Sequence, residues 1–352
     1  MGRRARPAAN GMKVGFLVTI RDIAKRAGVS VATVSRTLRE PEAVRPVRRE
    51  RVLQAIEEMN YAPDPIAQQL RRRTNETIIV VVPEIANPFF SGIVQSIENV
   101  AHDMGYRVLI GETQGKQERL DYYADMVQTR VAAGLILLGS LLPRIVKNGV
   151  EAGLKEPAIP LVLACEHYDG LECPKVVIDN VAAGYLAVDH LIDRGRRRIA
   201  TITGPLDNPL TVDRLKGYRD ALANAGLPSR EDWVVEGDFS IESGHAAMLR
   251  LLEAGQVPDG VFCAGDEMAI GAMHAIREAG LMIPRAIAVV GFDDLRFGAF
   301  AAPPLTTIRQ PSAELGETAM RMMDAVLNKR PLDQLKVVLP HSLVLRGSTA
   351  LG

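Results

Sequence analysis

From Thr77 onward the chain alternates short apolar runs with longer amphipathic stretches, and this narrows the range of folds more than any other feature. Runs at 78–82, 107–110, 135–138, 161–164, 176–178, 199–203, 233–235, 261–263 and 288–290 have the length and β-branched content of strands. Stretches at 89–104, 120–130, 182–194, 214–225, 241–254 and 267–279 carry apolar residues at helical spacing. A repeated strand–helix order predicts an α/β architecture with parallel sheets covered by helices. Two such units of about 100–130 residues each imply a cleft between them, and ligands of such folds bind outside the C-terminal ends of the strands. The composition supports a full core, with 47% hydrophobic and 24% charged residues in a chain of 352.

The segment before Thr77 has a different character. The whole chain balances 42 Lys+Arg against 42 Asp+Glu, yet residues 1–75 hold 16 basic and 7 acidic residues, a net of +9. The remaining 277 residues hold 26 and 35, a net of −9. A basic head on an acidic body suits a polyanion at one end, although a solvated basic face has the same composition. Local pattern separates the two readings. Thr19 is a candidate helix cap, and Ile20, Ile23, Ala24 and Ala27 follow at helical spacing. Gly28 supplies a turn that needs positive φ, Ser30 is a second cap, and 31–38 form a second short helix with Val34 and Leu38 inward. A third helix is expected from Pro46 to about Asn60, with Val47, Val52, Leu53, Ile56 and Met59 as its apolar stripe. Two helices joined by a tight glycine turn present the second to a DNA major groove.

The run Thr19-Ile20-Arg21-Asp22-Ile23-Ala24-Lys25-Arg26-Ala27-Gly28-Val29-Ser30-Val31-Ala32-Thr33-Val34-Ser35-Arg36, followed by Asn60-Tyr61-Ala62-Pro63, resembles the DNA-binding head of the lactose/galactose repressor family. Arg45 departs from the pattern, which usually has a serine-type cap before the third helix. The resemblance continues through Asn87-Pro88-Phe89-Phe90, Ile178-Asp179-Asn180, Gly237-Asp238-Phe239, Gly291-Phe292-Asp293-Asp294 and Pro303-Pro304-Leu305-Thr306-Thr307-Ile308. Phrases such as Leu137-Leu138-Gly139-Ser140 and Arg346-Gly347-Ser348-Thr349 are similar to the cytidine-repressor branch. The resemblance covers about 19–349 and implies a helix-turn-helix head at 19–63, a hinge helix at 64–75, and a core at 76–349 with the two-part fold of periplasmic binding proteins; residues 1–18 precede it as a basic extension, with Met12 as an alternative start.

It also implies roles. Val31, Ala32 and Arg36 fall where the family reads bases. Arg36 can fork onto guanine, whereas Val31 and Ala32 offer apolar contact to a thymine methyl. Thr19, Ser30, Thr33 and Ser35 suit phosphates or caps. In the hinge, Leu70 matches the family's minor-groove wedge, and Arg71 begins an arginine triplet suited to the phosphate backbone. The plainer readings are a surface charge for Arg36 and a basic flexible linker for the hinge.

Effector contacts of the family fall here on Phe89, Phe90, Asn208, Leu210, Arg214, Phe239 and Asp293. Asp293 accepts hydroxyl hydrogen bonds, Arg214 donates, and the phenylalanines offer flat apolar faces to a base or sugar ring. Alternatively Phe90 is core packing and Asp293 a helix cap. Purine repressors place Arg and Thr where Asn208 and Leu210 stand. Leu210 cannot hydrogen-bond a purine edge, so a nucleoside such as cytidine is the favoured effector and a sugar the alternative. Two heads on two half-sites imply a homodimer on a pseudo-palindromic double-stranded operator. No leucine-repeat tail follows Thr349, so a dimer is expected rather than a tetramer. The cytidine-repressor likeness adds an activator protein on the DNA as a candidate partner.

Other classes find little support. Six histidines show no metal-ligand spacing, and there is no phosphate-binding glycine loop or nucleophile elbow, so neither an enzyme, a cofactor nor a metal is expected. No run of eighteen apolar residues appears, so no membrane partner is expected. Three sparse cysteines suit a reducing cytoplasm, and the stretch 14–20 lacks the features of an export signal. A solute-binding protein would need that signal and would not need the head.

Overall fold

The structure, a computed structural model, describes residues 18–39, 41–59, 61, 75–168, 170–253 and 256–350. It falls into two compact units, Met1–Thr74 and Asn75–Gly352.

In the first unit, α1 (Ile20–Ala27), α2 (Val31–Arg39) and α3 (Pro46–Glu58) enclose a small core of Ile23, Ala24, Ala27, Val34, Val52 and Ala55. Each fully buried aliphatic side chain there contributes roughly 1.5–3 kcal/mol. Asp22 closes the start of α1 by accepting from the Thr19 backbone N–H at 2.9 Å and the Thr19 hydroxyl at 2.6 Å. Gly28 ends α1 at φ 64°, a left-handed conformation in which glycine alone avoids a steric cost. Ser30 then caps α2, its hydroxyl accepting from the Thr33 N–H at 3.1 Å. Arg45 precedes α3 without a side-chain cap bond, and Pro46 occupies the first helical turn. The stripe on α3 differs from expectation. Val52, Ala55, Ile56 and Met59 face the core, whereas Val47 is 64% and Leu53 50% exposed. At about 100° per residue, Leu53 turns away from the face that Val52 and Ala55 define.

The second unit holds two six-stranded sheets. The first has order β11-β5-β4-β3-β1-β2, and the second β12-β10-β9-β8-β6-β7. The strands are β1 (Thr77–Val82), β2 (Arg107–Glu112), β3 (Gly134–Leu137), β4 (Leu161–Ala164), β5 (Lys175–Ile178), β6 (Ile199–Thr203), β7 (Val234–Glu236), β8 (Gly260–Cys263), β9 (Ala288–Asp293), β10 (Thr306–Arg309), β11 (Lys336–Leu339) and β12 (Ser342–Val344). All pairings are parallel except β10 with β12. The helices are α4 (Pro88–Asp103), α5 (Gln117–Gln128), α6 (Arg144–Glu151), α7 (Asn180–Asp193), α8 (Pro209–Asn224), α9 (Ile241–Glu253), α10 (Asp266–Glu278) and α11 (Ser312–Leu327). Strands such as Ile78–Val82 are buried throughout because helices cover both faces of each sheet.

The halves are not consecutive blocks of sequence. The chain leaves the first sheet after β5, builds the second through β10, and returns with α11 and β11 before closing with β12. Trp233, expected in a strand, instead ends a short 3-10 turn (Glu231–Trp233). Among the described residues, no helix is long and apolar enough to cross a membrane.

Candidate functional site

On the head, α2 turns Ala32 and Arg36 to solvent four residues apart, while Val31, Thr33 and Ser35 are half-buried. Arg36 makes no ion pair among the described residues, so its guanidinium is open to a ligand. Ser30 and Thr33 are partly committed already, since their hydroxyl oxygens lie 2.9 Å apart and Ser30 caps the helix. Thr19 is exposed and tied to Asp22. The hinge residues Leu70 and Arg71, with the rest of 62–74, lie outside the described residues, as do residues 1–17.

In the core, a cavity of about 660 Å³ opens where the C-terminal ends of the two sheets meet. All seven residues expected at the effector site line it. Phe89 and Phe90, at the start of α4, form an edge-to-face pair with centroids 5.3 Å apart. Both also pack on the first sheet's core, so Phe90 is a wall of the cavity as well as part of the packing. Asn208 caps α8 by accepting from the Leu210 N–H at 2.8 Å, leaving its amide to donate. Leu210, 8% exposed, is an apolar surface of the cavity.

Arg214 is held rigidly. Its Nε donates to Asn180 Oδ1 at 2.9 Å, a terminal nitrogen donates to the Ala264 carbonyl at 2.7 Å, and its guanidinium carbon lies 3.6 Å from the centroid of the Phe292 ring. Phe239 follows β7 in a left-handed conformation, φ 69°. A Cβ on Gly204 would stand 2.1 Å from the tip of that ring, so only glycine there leaves it room. Asp293 ends β9 at φ 112°, a costly conformation for a non-glycine residue. Its Oδ1 accepts from Gln310 Nε2 at 2.7 Å, and it makes no helix cap among the described residues. Strain of this kind, at a carboxylate facing a cavity, fixes the direction of the side chain.

Sequence reasoning missed Glu166. It stands two residues beyond β4, is 4% exposed, and lines the cavity with Oε2 unpartnered. The available signal was a charged residue two positions after the wholly apolar strand β4. Burial pushes its carboxyl up to about 7, against the pull of Arg214 and a hydrogen bond from Asn208. Burial likewise pushes Asp293 up to about 7, opposed by Arg214 and Gln310. For both groups the folded value exceeds the unfolded one. Their stabilising contribution is therefore complete below about pH 4 and is lost as pH rises through 7. The ligand-free core should lose several kcal/mol of stability, on the order of 5 for the two groups together, between pH 5 and pH 8. Urea unfolding at fixed ionic strength measures this, and a pH-independent midpoint would contradict it.

This geometry has counterparts among known proteins. Residues 19–64 match the bacterial regulatory proteins of the lacI family, and residues 188–349 match the periplasmic binding protein-like domain. The chain is 38% identical over 333 residues to the HTH-type transcriptional repressor CytR of Escherichia coli (strain K12), covering 94% of this chain and 96% of that protein. It is similar to the lac repressor dimer bound to operator and the anti-inducer ONPF, with a TM-score of 0.84 and 30% identity, covering 95% of this chain and 99% of that one. It is also similar to the transcriptional regulator CelR in complex with cellobiose, with a TM-score of 0.70 and 34% identity, covering 94% and 99%. Head and core are thus matched together, and the chain belongs to the lacI family of bacterial regulatory proteins.

Proposed function

We propose that this protein is a DNA-binding transcriptional repressor whose hold on its operator is set by an uncharged, hydroxyl-bearing ligand in the core cavity, a nucleoside fitting best. Val31, Ala32 and Arg36 read the operator, while Thr19, Ser30, Thr33, Ser35, Leu70 and Arg71 position or bend it. A homodimer grips the two halves of a pseudo-palindrome. Ligand controls this grip only through a difference in affinity between two arrangements of the core.

The lining of the cavity carries the ligand reading. Among the described residues it holds six carboxyl groups, of Glu84, Glu112, Glu166, Asp207, Asp238 and Asp293, and one basic group, Arg214. Phosphorylated ligands meet net repulsion there, whereas ribose hydroxyls find acceptors and a base finds the faces of Phe89, Phe90 and Phe239. The wall formed by Leu210 gives no hydrogen bond to a purine edge. A sugar is the second reading, favoured by the same acceptors and by the similarity to a cellobiose-bound regulator.

Isothermal titration with cytidine, other nucleosides, purine bases, cellobiose and cytidine 5′-phosphate tests this. Cytidine or a related nucleoside should bind at least about tenfold more tightly than the phosphate, a difference of 1.4 kcal/mol. Binding by sugars alone would replace the nucleoside with a sugar. Tighter binding of the phosphate would overturn the charge argument.

A further inference from the structure

The pairing of α9 with α10 places ligand-type side chains together that the sequence keeps apart. The helices approach closely: a Cβ on Gly244 would stand 2.1 Å from the Met268 carbonyl oxygen, and one on Gly271 2.0 Å from that of Ile241. This contact sets His245 of α9 against His274 and Glu278 of α10. His245 Nε2 lies 2.6 Å from Glu278 Oε2, and His274 Nε2 lies 3.4 Å from Glu278 Oε1. One ligand atom from each of the three residues lies within 4.8 Å of the others, and the imidazole centroids are 5.4 Å apart. None of the three lines the core cavity.

We propose that His245, His274 and Glu278 bind a late first-row divalent cation, with Zn²⁺ as the representative ion and water completing its coordination. Two imidazoles and one carboxylate are the donor set that such ions favour over Mg²⁺ or Ca²⁺. A tetrahedral ion with bonds of about 2.0–2.2 Å needs its ligand atoms roughly 3.3 Å apart. The two imidazole nitrogens lie 2.6 and 3.4 Å from the two oxygens of one carboxylate, near that spacing, and the side chains are exposed enough to adjust, at 30%, 57% and 51% for His245, His274 and Glu278. His274 and Glu278 stand four residues apart on one helix face, while the glycine contact fixes the backbone that carries His245. The three donors thus sit on two helices that are already in close contact.

The ion would pin α9 to α10. The residue two before α9 is Phe239, and the residue before α10 is Gly265, whose Cβ position lies 3.3 Å from the Phe239 ring. Occupancy therefore stiffens the seat of one cavity wall from outside the cavity.

The test uses full-length, tag-free protein freed of metal with a chelator. Titration with ZnCl₂, followed by calorimetry and thermal unfolding, should give one equivalent per chain and a rise in Tm. His245→Ala and His274→Ala should each weaken binding about tenfold or more, since even outer-shell changes at metal sites cost that much. His102→Ala, altering an exposed histidine elsewhere, should leave it unchanged. Co²⁺ titration of the unmodified protein should give visible absorption bands that Zn²⁺ abolishes, a readout independent of how the variants fold. Equal Zn²⁺ affinity in a variant carrying both His245→Ala and His274→Ala, or no saturable Co²⁺ signal, would overturn the proposal and leave a hydrogen-bonded histidine–glutamate pair.

Discussion

Arg214→Met should destabilise the core by about 3 kcal/mol, roughly 6–10 °C in Tm, and abolish the response to ligand. The side chain is 4% exposed and does three things at once. It satisfies Asn180 Oδ1 and the Ala264 carbonyl, it lies against Phe292, and it supplies the positive charge nearest to the buried carboxyls Glu166 and Asp293. Methionine fills much of the volume but leaves two buried acceptors without donors, each worth about 1–3 kcal/mol. Proton uptake by Glu166 and Asp293 limits the electrostatic part of the loss, so the deficit should shrink at low pH. Arg214→Lys restores charge without the fork and should fall between the two. Urea unfolding and calorimetry on the same preparations measure both effects. Wild-type stability with full ligand affinity in Arg214→Met would contradict this role.

Arg36→Ala should weaken operator binding by about 1–3 kcal/mol, five- to 150-fold, and weaken binding to random duplex far less. The prediction follows from where α2 places the side chain. Arg36 shares the solvent face with Ala32, on the side of the helix opposite the packed Val34. A forked contact to guanine is lost with the guanidinium, whereas a phosphate contact would cost similar energy on any sequence. Fluorescence anisotropy on both duplexes at matched salt separates these cases, and equal losses would assign Arg36 to the phosphate backbone.

Much of this architecture was legible in the residues. The Gly28 turn, the Ser30 cap and the burial of Ile23 and Val34 follow from local rules that tertiary contacts reinforce. Interior strands such as β1, β3, β4, β6, β8 and β9 are wholly or largely apolar runs, because in a covered parallel sheet both faces of a strand are buried, while β2 and β7 are apolar runs at exposed sheet edges. The buried strand β10 was missed because its four residues, Thr306–Arg309, include two threonines and an arginine and make no apolar run, whereas β11 and β12 were missed for the complementary reason. Lys336–Leu339 and Ser342–Val344 lie at sheet edges, short and half-exposed, with no run long enough to announce them. Their pairing depends on the late return of the chain, which no local pattern encodes. The seven cavity residues expected from family likeness do converge on one cavity, but Glu166 escaped because its importance lies in an unpartnered oxygen, a property of the fold. The same holds for His245 and His274, whose proximity is created by a helix contact between Gly244 and Gly271. Val47 and Leu53 show the opposite error, apolar residues assigned inward that α3 turns to solvent.

The central claim is that occupancy of the core cavity governs the grip of the head on DNA. The most direct measurement is anisotropy of a labelled duplex, chosen by selection from a random library, titrated with protein with and without saturating nucleoside, for wild type and Asp293→Asn. The account predicts an approximately palindromic selected site, a ligand-dependent shift in the wild-type midpoint, and a much smaller shift in Asp293→Asn with its ligand-free affinity retained. A ligand that binds the cavity by calorimetry yet leaves the wild-type midpoint unmoved would contradict it.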